Sequence, residues 1–477
     1  MAAIPPLSVA ADFVDTPVSG FRDFPTPRIA RRWNHAAPSV DYIRASAHLW
    51  RVMVMHPTRI KWICVAALAA LAGFPATALA DVDMKRIQPL LDVACQPPYA
   101  DAQRFRSALP NARIIEHDVD AFAGQAGRAK TVLLLADGTR LEANALFPGG
   151  RLRRISFELH RAKPLSSVAV DHTCTVTEAR EIAYDADGRA QTIRVFDGDL
   201  KTLRDEIALN PPVPAAADPG GVSVGLIDSG VNYTIEPFAS HLARTQDGVL
   251  LGRDFWDGDA RPFDTDTGRS PFFPLHHGSA VMSVLIKEAA MARVLPVRYP
   301  RPDMTKMADA VGWLADQGVR IVNMAMGSNS ENDWAAFADA ARAHPRILFI
   351  ISAGNNGRDI DKQPVYPAAL GLSNTIVVTS SEPDGRLAQG SNWGAQSVDI
   401  MVPGERMRVI DHRGAPGKAS GSSFAVPRIT ALAVRASAKY PDWHGPELRD
   451  WILKRARPLA GPKLTRYGWI PDPTDGP

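Results

Sequence analysis

The chain has 477 residues, longer than one hydrophobic core ordinarily serves, which favours two or three folded units. Hydrophobic residues make up 45% and charged residues 22%, the balance of ordinary globular domains, and this excludes a disordered, collagenous or membrane-embedded chain. The formal net charge of +3 comes without a long run of Lys or Arg, so the sequence calls for no nucleic-acid partner.

Residues 1–54 are rich in Pro, Arg and Ala and lack sustained periodicity. From Met55 the pattern changes: Arg59 and Lys61 precede an apolar run from Trp62 to Phe74, and Ala78-Leu79-Ala80 supplies small residues around a cleavage point. That order predicts an export signal over 55–80, cut after Ala80, with the mature protein periplasmic or secreted. The apolar run falls short of the roughly 20 residues of a membrane-spanning helix, so no stable span is expected after cleavage. Translation from Met53 or Met55 would put the signal at the N-terminus and make 1–54 a mis-annotated upstream extension. Cys64 leaves with the signal, and the remaining Cys95 and Cys174 suggest a disulfide, with two unrelated thiols as the alternative.

Residues 81–210 read as a β-rich domain, an antiparallel meander with one helix from Met84 to Ala94. Apolar runs such as Thr131–Leu135 are punctuated by turn signals at Asp137-Gly138, Pro148-Gly149-Gly150 and Asp187-Gly188. The prolines and glycines of 211–220 then read as a linker. From 221 to 477 short apolar runs alternate with helical segments: Val222–Ile227, Met307–Gln317, Arg320–Met324, Trp334–Ala343, Ile347–Ser352, Thr375–Thr379 and Phe424–Ala438. This alternation predicts an α/β domain, a parallel sheet flanked by helices with polar residues at the strand ends.

Four segments of this second domain carry chemistry. Val222–Asp228 is an apolar strand ending in an acid before a Gly turn; alone it reads as a turn or cap. His276-His277-Gly278 opens a small and apolar helical segment, and either histidine fits a cleft. Ile347–Ser352 leads into Gly354-Asn355-Asn356-Gly357, a turn that also offers an amide at the sheet edge. Ser420–Pro427 crowds small residues before an apolar helix, where Ser423 is either an N-cap or a nucleophile.

Together the segments resemble the subtilisin-like serine protease family, over about residues 221–470. Asp228-Ser229-Gly230 is similar to that family's Asp-Ser/Thr-Gly block, His277-Gly278-Ser279-Ala280-Val281 to its His-Gly-Thr-x-Val block, and Gly421–Pro427 to its Gly-Thr-Ser-x-Ala-x-Pro block. The order Asp, His, Ser separates it from other serine hydrolases. Asp254–Asp259, Val322–Gly327 and Val402-Pro403-Gly404 resemble further family segments.

The resemblance implies an endopeptidase with Asp228, His277 and Ser423 as catalytic residues, Asn355 as an oxyanion donor, and Ala325, Met326 and Gly327 lining the substrate. It selects His277 over His276. Its partners would be protein or peptide substrates, met by a monomer. An inactive relative that binds peptides in the same cleft is the alternative function, and a hydrolase of esters or other acyl donors a further one. The resemblance assigns no cofactor and no metal ligands; calcium is left open, with Glu236 an uncertain substitute for the acid expected near Pro237. Asp257, Asp259, Asp264 and Asp266 read as an acidic, solvated loop. For residues 81–210 it implies a folding aid and temporary inhibitor removed by self-cleavage near the linker, with a retained structural or adhesive module as the alternative. Ser279 and Ser422 replace the family's usual Thr, Ala325 its frequent Ser and Ser283 its frequent Gly.

Overall fold

Met84, Ile87, Leu90 and Ala94 recur at helical spacing, and they are the residues that α1 (Thr77–Ala94) buries. The computed structural model describes residues 77–122 and 125–476; the segment read as an export signal therefore lies outside the described residues except for 77–80, which open α1. The described residues fall in one compact unit.

After the short α2 (Gln103–Ala108) come eight strands: β1 (Arg113–Phe122), β2 (Gln125–Leu134), β3 (Arg140–Leu146), β4 (Arg154–His160), β5 (Pro164–Asp171), β6 (Val176–Tyr184), β7 (Ala190–Phe196) and β8 (Leu203–Ala208). Each pairs only with its chain neighbours, all antiparallel, in the order β1 to β8, so the expected meander is present. The turns fall at the predicted glycines: Gly138 (φ 81°) joins β2 to β3 and Gly188 (φ 76°) joins β6 to β7, backbone angles that a side chain resists. Alternate residues Leu141, Ala143, Ile155, Phe157 and Leu159 turn to one face and make a core with α1 and Phe105. A Cys95–Cys174 disulfide ties the end of α1 to the β5–β6 turn.

Residues 211–220 carry no helix or strand, yet they are fastened at several points. Pro211 O accepts from Tyr233 Oη (2.6 Å) and Pro214 O from Arg244 Nη1 (2.8 Å). The Asp218 carboxylate accepts from Arg293 Nε (2.8 Å) and from the amide of Arg244 (2.7 Å).

The second domain follows as β9 (Val222–Asp228), β10 (Arg253–Asp254), α3 (Gly278–Glu288), β11 (Ala292–Arg298), α4 (Met307–Asp316), β12 (Ile321–Met324), α5 (Ala335–Ala343), β13 (Leu348–Ser352), β14 (Thr375–Ser381), β15 (Ile400–Pro403), the hairpin β16 (Met407–Ile410) and β17 (Pro416–Ala419), α6 (Ser422–Lys439), α7 (Gly445–Leu453) and β18 (Gly468–Trp469). Its main sheet is parallel throughout, in the order β10-β11-β9-β12-β13-β14-β15-β18. Both faces are covered, which explains the unbroken apolar runs: Leu348 and Ile350 pack with α3, α6 and α7, while Phe349 and Ile351 pack with α4 and α5.

The chain steps from β9 outward to β11 and then crosses back to β12 on the other side of β9. The strand order thus reverses at β9, and a parallel sheet opens a crevice at the carboxyl ends of strands around such a point. Asp228 is the last residue of β9.

Candidate active site

Asp228 is almost fully buried at this strand end, and its Oδ1 lies 2.7 Å from His277 Nδ1. His277 is the residue before α3, so its ring stands at the helix N-terminus and the opposite nitrogen, Nε2, is buried without a hydrogen-bond partner. A carboxylate on Nδ1 fixes the tautomer: Nδ1 carries the proton and Nε2 keeps a lone pair. Burial on its own would lower the basicity of the imidazole. The charge and hydrogen bond of Asp228, with Asp264 and Asp266 behind it, outweigh burial and hold His277 above its ordinary value.

The start of α3 is held by two side chains. Ser229 Oγ accepts from the amides of His277 (3.1 Å) and Gly278 (2.9 Å), and donates to Asp264 Oδ1 at 2.6 Å. Asp264, with no exposed surface, accepts from the amides of His277 (3.0 Å) and Ser279 (2.9 Å). Three of the orphan N–H groups at the helix start are thereby satisfied from outside the helix, and a second negative charge rests at its positive end. Gly278 is needed here, since a Cβ would lie 2.1 Å from Gly230 O.

Asp264 is the residue that sequence reasoning missed. The acids around it are not a solvated loop: Asp254 and Asp257 pair with Arg298 (2.8 and 2.5 Å), Asp259 accepts from Asn210 and Arg261, and Asp266 accepts from Tyr299 Oη (2.7 Å). Apart from the local Arg261–Asp259 contact these are tertiary, and no local spacing encodes them. His276 is turned to other partners, its Nδ1 meeting Asp264 O and its ring stacking on His412 at a centroid distance of 3.4 Å.

Ser423 is buried at the N-terminus of α6, and the ring of the next residue, Phe424, packs 6.0 Å from that of His277. Its hydroxyl is directed to Ala325 O at 3.4 Å. Pro427 lies inside the helix, beyond its first turn.

Asn355 meets the same helix end. Its Oδ1 accepts from both the amide (2.9 Å) and the hydroxyl (2.8 Å) of Ser422. A backbone N–H can only donate, so this contact fixes which amide atom is oxygen and leaves Nδ2 as the free donor. Ser422 Oγ is backed by Ser352 Oγ at 2.7 Å, which itself accepts from the amide of Gly354 (3.1 Å). Gly421 (φ 118°) makes the approach feasible, because a Cβ there would lie 3.0 Å from Asn355 Oδ1.

Ala325, Met326 and Gly327 continue from the end of β12. The segment is anchored just beyond by the amides of Ser328 and Tyr366, each donating to the other's carbonyl at 2.8 Å. Ser283, on α3, donates to Ala280 O and accepts from the amide of Ile410, which ties the β16–β17 hairpin to the histidine-bearing helix. Glu236 Oε2 accepts from Ser240 Oγ (2.7 Å), and among the described residues no group of three or more His, Cys, Asp or Glu side chains is placed to hold a metal.

A buried carboxylate on a histidine, a serine at a neighbouring helix start and a free amide donor beside it define the class of serine hydrolase centres. Residues 220–469, more than half of the chain, match the family model described as the Subtilase family (Peptidase_S8), and the chain belongs to that family. It is 26% identical over 231 residues to halolysin of Haloferax mediterranei, covering 46% of this chain and 41% of halolysin. It is 27% identical over 266 residues to the thermophilic serine proteinase of Bacillus sp. strain AK1, covering 52% of this chain and 60% of that protein. The chain thus spans about half the length of these curated relatives. A cold adapted subtilisin-like serine proteinase of known structure aligns at 21% identity with a TM-score of 0.43, over 55% of this chain and 93% of its own.

Proposed function

We propose that this chain is an exported serine endopeptidase that cleaves peptide bonds through an acyl-enzyme. The observation that carries the reading is the Asp228–His277 pair at the strand-order reversal, beside a helix start bearing Ser423 and the oriented amide of Asn355. His277 Nε2 takes the proton of Ser423 Oγ as that oxygen attacks the scissile carbonyl, and then returns it to the leaving amine. Asp228 keeps the imidazole in the required tautomer and stabilises its positive charge. For this step Ser423 Oγ leaves Ala325 O and approaches His277 Nε2, since catalytic hydrogen bonds that are loose in the free enzyme tighten in the substrate complex.

The oxyanion is stabilised by Asn355 Nδ2 and the amide of Ser423. Ala325–Gly327 would pair with the extended substrate. The chain's own groups supply each of these transfers and donors, so no step is routed through a metal. Export rests on the 55–80 signal pattern; among the described residues no helix is long and apolar enough to cross a membrane.

The test is cleavage of a denatured protein and a peptide panel by wild type, Ser423→Ala and His277→Ala. Cleavage by wild type alone supports the reading. Ester hydrolysis without peptide cleavage contradicts the peptidase assignment, and binding without turnover by wild type favours the inactive peptide binder.

A further inference from the structure

Between Asp259 and His277 the chain runs through residues 260–276 with no helix and no strand beyond a single bridge between Asp266 and Leu275. A loop of this length gains its shape from whatever packs on it. Its inner side is the site already described: Asp264 binds Ser229 and the amides of His277 and Ser279, and the amide of Thr265 donates to Ser229 O at 2.9 Å.

Its outer side is covered by the N-terminal sheet. Phe272, with no exposed surface, is buried among Ile182 of β6, Ile193 and Val195 of β7, and Leu209. Arg180 of β6 donates to Phe272 O at 3.0 Å, and its guanidinium sits 4.2 Å from the centre of the Phe273 ring. His160 of β4 meets Phe272 edge-on at 6.3 Å. At the other end of the loop, Thr265 Oγ1 donates to Leu209 O, while Arg261 donates to Asn210 O (3.2 Å) and Asn210 to Asp259 (2.9 Å). None of these contacts involves Ser423, Asn355 or Ala325–Gly327, where an inhibitor would lie.

We propose that the N-terminal sheet is a retained part of the active site: by clamping the outer side of the loop it holds Asp264, a positioning residue, against the histidine-bearing helix end. This rests on the reading of His277 as the general base and decides against a removable inhibitor. The physical route is short. A loop gripped by a buried aromatic side chain on one side presents a carboxylate on the other, and that carboxylate fixes the direction in which His277 leaves the backbone. It also adds charge beside the imidazole, whose charged neighbours are Asp228 on β9, and Asp264 and Asp266 on the loop.

The test follows the His277 imidazole by nitrogen NMR during a pH titration of the full chain carrying Ser423→Ala and labelled at histidine, its signal assigned by loss in His277→Gln. Asp264→Asn is expected to lower the titration midpoint by about one pH unit, the effect of removing a nearby opposite charge. Arg180→Gln and Phe272→Ala, which touch the loop only from the sheet side, are expected to move it in the same direction and to add nothing in the Asp264→Asn background. An unchanged midpoint in folded Arg180→Gln overturns the proposal, and that variant decides alone if Phe272→Ala does not fold. The titration reads the histidine whether or not Ser423 turns over substrate, so its outcome is separable from that of the peptidase reading.

Discussion

Asn355 illustrates how one side chain is committed to one task. Ser422 occupies its oxygen twice, so the amide cannot turn over without losing both bonds. Asn355→Leu is expected to lower kcat by about 100- to 1,000-fold with KM little changed, the loss known for removing an oxyanion donor from a subtilisin and carried over here. Steady-state kinetics on one peptide substrate reads it. His277 gives a pH prediction at the same scale. On the proposed mechanism activity needs the neutral imidazole, and the folded protein holds its pKa above the ordinary 6.5, so kcat/KM should fall as pH drops through a midpoint above 6.5. The stability linkage runs the other way: the stabilisation from protonated His277 is full below 6.5 and is lost as pH rises through the folded-state pKa.

At the scale of elements, α6 is held as firmly as it is placed. Arg428, one turn and a half beyond Ser423, pairs with Glu288 at the end of α3 (2.7 Å), reaches Asp472 (3.4 Å) and donates to Pro403 O at the end of β15 (2.9 Å). Glu288→Ala removes the short contact but leaves Arg428 the Asp472 carboxylate and Pro403 O, so it is expected to cost about 1.5–3 kcal/mol in denaturant unfolding, the range of a hydrogen bond to a charged group. Most of the central strands and helices were legible, because a sheet covered on both faces needs apolar runs of five or so residues and a meander needs its glycine turns, whereas β11, its run broken by Arg293 and Pro296, and β15, the β16–β17 hairpin and α7 were not. Asp228, His277 and Ser423 stood out because each lies at the end or start of such an element, and Asn355 because it falls in the Gly-Asn-Asn-Gly turn just past β13. Asp264 did not, since it sits in an irregular loop and its partners, Ser229 and the amides of α3, are distant in sequence. The short strands β10 and β18 were hidden for a related reason: two residues carry no periodicity.

For the whole molecule, the two sheets solve different problems. The meander is locally connected, and the Cys95–Cys174 bridge, with a sequence separation of 79, constrains it further. Cys95→Ala with Cys174→Ala is expected to lower its stability by up to roughly 4 kcal/mol on the chain-entropy account, read as a fall in thermal midpoint that reductant reproduces in the wild type. The parallel sheet is built from distant pairings and gathers residues spread over almost 200 positions into one crevice. That gathering is the central claim, and labelling tests it most directly. Wild-type protein treated with a serine-directed phosphonofluoridate should gain one adduct, mapped by peptide mass spectrometry to Ser423, with labelling slowed in His277→Ala and absent in Ser423→Ala. An adduct on another serine, or no adduct on folded wild type, would contradict the assignment of Ser423 as the nucleophile.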